Sequence, residues 1–294
     1  MRKLPKFLRY GTFPIVFFGG LAVAWQALEQ GLSYPLVYFS VVGVLAVTLL
    51  SLEALFPRQE DWRATRRDYL TDFGFLAYSA GFALVAAPLK TSGAVVLGAW
   101  ISTRWSGFTD LWPHTAPVLL QVVLACLVFS FFRYGYHRAM HQEGRLWEVH
   151  ALHHSPSKFG IFKAIWGHPF DGLPMDLLGT LPLICLGVSA QVMTLTAVTV
   201  ALSGFLAHTS LDLRTGFLSY FLNTNEVHEV HHCNSIPGEG RNFSDITPLW
   251  DYVFGSFCLE KDRIGKRTLG FVAWPKRLPR PARIKDLLLL PFHP

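Results

Sequence analysis

Ten of the chain's twelve histidines fall between His137 and His232, and their spacing carries the first sign of chemistry. His137-Arg-Ala-Met-His141 is an H-x-x-x-H spacing, which puts both rings on one face of a helix. His150-Ala-Leu-His153-His154 and His228-Glu-Val-His231-His232 are two H-x-x-H-H spacings, each again presented from one face. Neutral imidazole suits iron, zinc, copper and nickel. A tetrahedral ion takes about four ligands, so eight clustered imidazoles are too many for one ion and enough for two. His168 (Gly167-His168-Pro169) and His208 (Ala207-His208-Thr209) stand singly at predicted helix ends beside the clusters and join them as candidate ligands. His114 and His293 lie apart and read as hydrogen-bonded structural residues. The Glu and Glu-x-x-His pairs of carboxylate-bridged di-iron bundles are missing.

A competing reading rests on the last cluster. His228-Glu229-Val230-His231-His232 also fits H-E-x-x-H, in which His228 and His232 hold zinc and Glu229 is the general base of a membrane-embedded metalloprotease. Against it, the parallel cluster has Ala151 where Glu229 sits yet keeps all three histidines, and a protease leaves His137 to His154 without a task. The four cysteines (Cys126, Cys185, Cys233, Cys258) form no C-x-x-C pair. That argues against zinc ribbons, ferredoxin-type clusters and a disulfide framework. Cys233, directly after His232, reads as a small packed residue rather than a thiolate ligand.

The elements that bring these residues together must lie in a membrane. The chain is 51% hydrophobic and 16% charged, where a soluble domain carries about 25% charged residues. Disorder, coiled coil and collagen are excluded by the same composition. Apolar runs cover Gly11 to Leu28, Leu32 to Leu52, Phe73 to Pro88 and Ala116 to Phe132. Leu173 to Ala207 is long enough for two short helices turning near Ser189. The mixed stretch Lys90 to Thr115, with Trp100, Trp105 and Trp112, reads as re-entrant or interfacial. Gly144 separates the first two histidine helices and Pro156 stops the second. Asn223 with Glu226 resembles a capping box for the third. From His208 onward the chain is mostly polar.

The net charge of +6 sits beside the apolar runs. Arg2, Lys3, Lys6 and Arg9 precede the first, and Arg58, Arg63, Arg66 and Arg67 follow the second, as the positive-inside rule requires. No basic stripe interleaves with aromatics, which argues against nucleic acid. With the N-terminus in the cytosol, an even number of crossings returns all histidine clusters to the cytosolic face. The predicted fold is an all-α membrane protein of about four to six transmembrane helices with a cytosolic histidine-rich helical cap. It forms one domain over residues 1–294, with an N-terminal hairpin at 11–52, a motif-bearing core at 132–257 and a basic tail at 261–294.

The pattern resembles the fatty acid hydroxylase/sterol desaturase superfamily of integral membrane, histidine-rich, non-haem di-iron oxidases. The resemblance is carried by HRAMH at His137 to His141, LWEVHALHHS at Leu146 to Ser155, GHPFD at Gly167 to Asp171, AHTS at Ala207 to Ser210 and HEVHH at His228 to His232. The stretch RNFSDITPLWDYVFGSF, Arg241 to Phe257, looks like the family's Asn-aromatic segment and its Trp-Asp…Phe-Gly ending. The chain departs from the family at Ser130, Trp166-Gly167 and Asn242-Phe243-Ser244, which leaves the subfamily and its substrate open.

The resemblance implies two iron ions, O2 as co-substrate, and attack on an unactivated C–H bond of a lipid such as a fatty acyl chain or sterol. The product is an alcohol or, after loss of a second hydrogen, an alkene. It further implies an external cytochrome b5-like or ferredoxin-like electron donor, since the chain has no G-x-G-x-x-G unit and no cluster-binding cysteine set. The host is a bacterial inner membrane or the endoplasmic reticulum. Asp171, Asp212, Asp245, Asp251 and Asn242 are candidates to orient ligand N–H groups, against the plainer reading of each as a helix cap or turn residue. The basic tail is suited equally to an acidic donor and to the membrane surface.

Overall fold

The computed structural model describes residues 3–104, 107, 109–142, 144–233, 240–260, 268–270 and 283–292. Among these residues there are helices and no strand, apart from one isolated bridge between Cys233 and Leu269. Among the described residues, five helices are long and apolar enough to cross a membrane. The first, α1, runs Lys6–Glu29. Pro14 has no N–H to give its ladder, and the helix widens into a π turn over Ile15–Gly19 directly afterwards. The second, α2, is Tyr34–Leu55, with Pro35 in its first turn, where a missing N–H costs nothing.

Helix α3 is Arg66–Arg104 and runs through Pro88 without a break. At about 1.5 Å per residue its 39 residues far exceed a hydrocarbon core about 30 Å thick. Its candidate span is Arg66–Ala86. The re-entrant reading of the stretch after Lys90 is therefore corrected: the helix continues outward and does not turn back. Trp112 is buried, with its indole N–H donating to Gln121 Oε1 at 2.9 Å, so it is a packing residue and not an interfacial anchor. Trp105 lies outside the described residues.

Helix α4 is Val118–Met140, α5 is Arg145–His154, α6 is Pro169–Cys185 and α7 is Ala190–His208. The expected turn near Ser189 is there, and Ser189 Oγ accepts from the Val192 N–H as the N-cap of α7. Gly144 adopts φ 102° between α4 and α5, a conformation that suits only glycine well. Helix α7 is central: half of its span is buried, against 11% for α2, most of whose apolar surface faces outward. It packs on α1, α2 and α4, and α4 packs along α6. Three short helices complete the described chain: α8 (Asn225–His231), α9 (Leu249–Val253) and α10 (Ile284–Leu289). Most of the basic tail lies outside the described residues, as does His293. Its described end, α10 and the residue that follows it, packs Leu287 and Leu290 against Phe75, Leu152 and Trp166.

One end of the bundle gathers the start of α1, the end of α2, the start of α3 and the end of α7. Arg9 pairs with Asp212 at 2.6 Å, and Glu53 near the end of α2 accepts from Ser210 N at 2.7 Å. Asp72 on α3 pairs with Lys163 and accepts from Trp166 Nε1 at 2.9 Å. The same end carries every clustered histidine, as an even count of crossings requires.

Candidate metal centre

Nine of the ten candidate imidazoles converge into two groups whose ligand atoms lie within 4.8 Å of one another. The first holds His137, His141, His150, His154 and His231; the second holds His153, His208, His228 and His232. The helical period, together with the way α5 and α8 face each other, produces the division. In each H-x-x-H-H stretch the i and i+4 rings point one way and the i+3 ring points another. Helix α5 thus gives His150 and His154 to the first group and His153 to the second. Helix α8 does the reverse, giving His228 and His232 to the second group and His231 to the first. The end of α4 completes one group and His208, the last residue of α7, completes the other.

The hydrogen bonds fix where the protons are. A carbonyl oxygen can only accept, so His137 Nδ1, 2.6 Å from Phe243 O, carries its proton there. The same holds for His153 toward Trp166 O at 3.1 Å, His208 toward Gly204 O at 2.8 Å and His231 toward Arg241 O at 2.9 Å. His150 donates from Nδ1 to the Asp171 carboxylate at 2.9 Å. Burial pushes the imidazolium forms down, His153 to about 4 and His231 to about 3. It holds His154, His228 and His232 well below the usual value too, and each is lowered further by neighbouring imidazoles. A neutral ring protonated at Nδ1 has only a lone pair at Nε2.

Yet His137 Nε2 and His150 Nε2 are 3.1 Å apart, and His153 Nε2 and His208 Nε2 are 3.3 Å apart. Between neutral rings, two lone pairs at that distance cannot hydrogen-bond. Among the described residues, His231 Nε2 is buried with no hydrogen-bond partner. Converging lone pairs, with protons turned away to fixed acceptors, are the arrangement a bound cation needs. The donor set of nitrogen alone suits iron, zinc or copper.

His168 is placed elsewhere, and its reading as a ligand is corrected. Its Nδ1 accepts from Phe170 N at 3.1 Å, capping α6, and its Nε2 faces Leu288 O at 3.1 Å. Both nitrogens are occupied, and it belongs to neither group. Cys233 is likewise outside both groups. The capping box at Asn223 is also corrected. Thr224 is the N-cap residue of α8, and no side chain caps it. Glu226 instead turns to Thr215 Oγ1 at 2.6 Å and Ser219 Oγ at 3.0 Å. Asn223 lies 3.4 Å from His228 Nδ1, a placement its sequence position does not announce.

The five candidate supporting residues divide. Asp171 touches a ligand directly, through His150. Burial would push its carboxyl up, but the His150 imidazole beside it, together with His153 and Arg133, outweighs this and holds it below the usual range. Asp251 acts one step further out. Its oxygens accept from Phe243 N at 2.8 Å, Ser244 N at 3.0 Å and Ser256 Oγ at 2.7 Å, which fixes the Phe243 carbonyl that orients His137. Asn242, at φ 55°, ties that loop to Val227 O at 2.9 Å and Cys258 O at 2.7 Å. Asp245 pairs with Arg133 and reaches no imidazole with its carboxylate. Asp212 pairs with Arg9 and Arg214, away from both groups. Most of the groups that orient the ligands are backbone carbonyls, which have no residue signature. Only Gly204, four residues before His208 on the same helix, follows from the spacing.

Glu229 does not serve the second group as a base. Its side chain is fully buried and accepts from Arg58 Nη1 at 2.7 Å. A guanidinium holds the carboxylate that a metalloprotease would aim at a metal-bound water.

Residues 122–256 match the family model described as fatty acid hydroxylase. An ornithine lipid hydroxylase of Rhizobium tropici is 28% identical over 83% of this chain and 74% of its own length. A sphinganine C4-monooxygenase of Arabidopsis thaliana is 29% identical over 53% of the chain and 61% of its own length. An alkylglycerol monooxygenase of Danio rerio is 29% identical over 48% of the chain and 31% of its own length. No solved structure matches. The histidine-bearing part of the chain, residues 122–256, is a fatty acid hydroxylase domain and belongs to the fatty acid hydroxylase/sterol desaturase superfamily.

Proposed function

We propose that the chain is an O2-dependent oxidoreductase that hydroxylates a C–H bond of a membrane lipid, using two iron ions held by the nine clustered histidines. The observation that carries this reading is the pairing of Nε2 lone pairs at 3.1 and 3.3 Å in two adjoining groups. Bound iron would supply O2 activation. The protein's own residues do the rest. The first group's five rings and the second group's four hold the ions, and the carbonyls of Phe243, Trp166, Gly204 and Arg241 keep each Nδ1 protonated and each Nε2 free. Asp171 does the same for His150. Burial favours the neutral form of His153, His154, His228, His231 and His232.

The reaction takes one lipid C–H, one O2, two electrons and two protons to an alcohol and water. The electrons come from an external donor of the cytochrome b5 or ferredoxin type. The basic residues at the histidine end of the bundle fit the cytosolic face and an acidic donor. The Rhizobium relative, similar over most of this chain, points to a lipid like the ornithine lipid of its name as substrate. Loss of a second hydrogen, giving a double bond, is the variant of the same chemistry.

The test is metal analysis of protein from iron-replete cells together with lipid mass spectrometry with and without the gene. About two irons per chain are expected, with one lipid class gaining a single oxygen. Zinc alone, with no aerobic change in any lipid, would overturn the reading.

A further inference from the structure

Two segments that follow the last candidate span are inside out. In Leu249–Val253 the acid faces inward: Asp251 is 1% exposed, whereas Tyr252, Val253 and the adjoining Phe254 are 45–59% exposed. Around Gly216–Tyr220 the same inversion holds. Ser219, Asn223 and Thr224 are buried, while Phe217 and Phe221 are exposed. The Tyr252 hydroxyl donates to Tyr220 O at 3.1 Å and joins the two segments into one surface. Water favours the opposite arrangement, and a contiguous apolar patch of this kind marks a contact surface.

The occupant of that surface follows from its depth. Trp250 Nε1 donates to Leu127 O at 3.2 Å, and its ring meets Phe131 edge-on with centroids 4.7 Å apart. Leu127 and Phe131 lie within the candidate span Val118–Met140. Exposed Val123, Phe131 and Phe132 continue the same apolar surface along α4. Guanidinium groups mark the other end. Arg138 donates to Phe254 O at 3.4 Å and Arg241 to Gly255 O at 3.5 Å, as arginines do at a headgroup boundary.

We propose that residues 216–221 and 249–254 form a wedge seated in the bilayer, so that the lobe carrying the third histidine cluster is held in lipid and not merely above it. The proposal rests on the chain spanning a membrane, and not on the oxidation chemistry proposed above. It also gives Asp251 a second role. The residue that fixes the Phe243 carbonyl beside His137 sits on the lipid-seated helix, so one strut joins the membrane contact to the first imidazole group.

Spin labels at Val253→Cys and Phe217→Cys, in protein whose native cysteines are replaced and which is reconstituted in phosphatidylcholine vesicles, test this. Val123→Cys is the lipid control and Glu60→Cys the water control. The expected result is an oxygen-to-nickel-chelate accessibility ratio matching the Val123 label and several-fold above the Glu60 label. A ratio matching the Glu60 label overturns the proposal. So does protection from both reagents, which would mean that a protein partner covers the face. The unsubstituted chain gives a second readout. A carbene reagent confined to the bilayer should label the peptide containing residues 249–254. Label found on the candidate spans but absent from that peptide overturns the wedge, whatever the protein oxidises.

Discussion

His154 and His232 stack across the boundary between the two imidazole groups, with ring centroids 4.3 Å apart and planes 22° apart. The rings come from different helices and different groups, so the two groups share a wall. Removing either ring opens space for the other to turn. His154→Ala is therefore expected to lower bound metal by more than the share of one group, and His232→Ala likewise. Metal analysis of folded protein separates this from independent sites, where each substitution would leave half of the metal in place.

His168 should behave differently. It caps α6 and touches Leu288 O, and it faces neither group. His168→Ala is expected to keep its full metal content and to lose about 1 kcal/mol of stability, the usual cost of a lost N-cap. Thermal unfolding and metal analysis on one sample check both parts. Loss of metal without loss of stability would return His168 to the ligand set.

Asp171 holds the proton of His150 at 2.9 Å. Losing such a partner costs about 10–100-fold in metal affinity or activity. Asp171→Leu should show that loss, and Asp171→Asn, which keeps an accepting oxygen, should recover much of it. A metal titration of the two variants measures the difference. Equal affinities would remove Asp171 from the supporting set.

How far the sequence reached depends on what kind of signal each feature leaves. Local period is legible: H-x-x-H-H on a helix presents three rings together, and the turn near Ser189 was readable because serine at an N-cap has its own chemistry. The sharing of each cluster between two groups was not, because it depends on how α5 and α8 face each other. His168 was misread because a histidine before proline at a helix start looks the same whether it binds metal or caps the helix. The capping box failed because Glu226 finds three buried hydroxyl and amide donors around Thr215, Ser219 and their backbone. Pro88 marked the end of an apolar run but not of the helix, since α3 continues to Arg104.

Gly179 sets how closely α6 approaches α4. A Cβ there would come within 2.5 Å of the Phe129 ring. Phe129 is buried in the core and cannot swing clear. Gly179→Ala is expected to cost about 1–3 kcal/mol through overpacking. Unfolding in detergent would show it, and Phe129→Leu in the same chain should restore part of the loss by giving the methyl room.

Glu229 distinguishes structural from catalytic use of one carboxylate. It is fully buried, and its Arg58 partner is nearly so. Removing one member of such a pair strands the other charge and costs about 3–5 kcal/mol. Glu229→Gln should therefore lower the unfolding temperature strongly, while metal content and lipid oxidation per folded molecule stay close to those of the unsubstituted protein. Replacing both partners, Arg58→Met with Glu229→Leu, removes the stranded charge and should recover most of the stability. A catalytic base predicts the reverse pattern: Glu229→Gln would fold as well as the unsubstituted protein and lose its activity, and the double replacement would restore nothing. Unfolding curves and product formation, measured on the three proteins side by side, decide between the two.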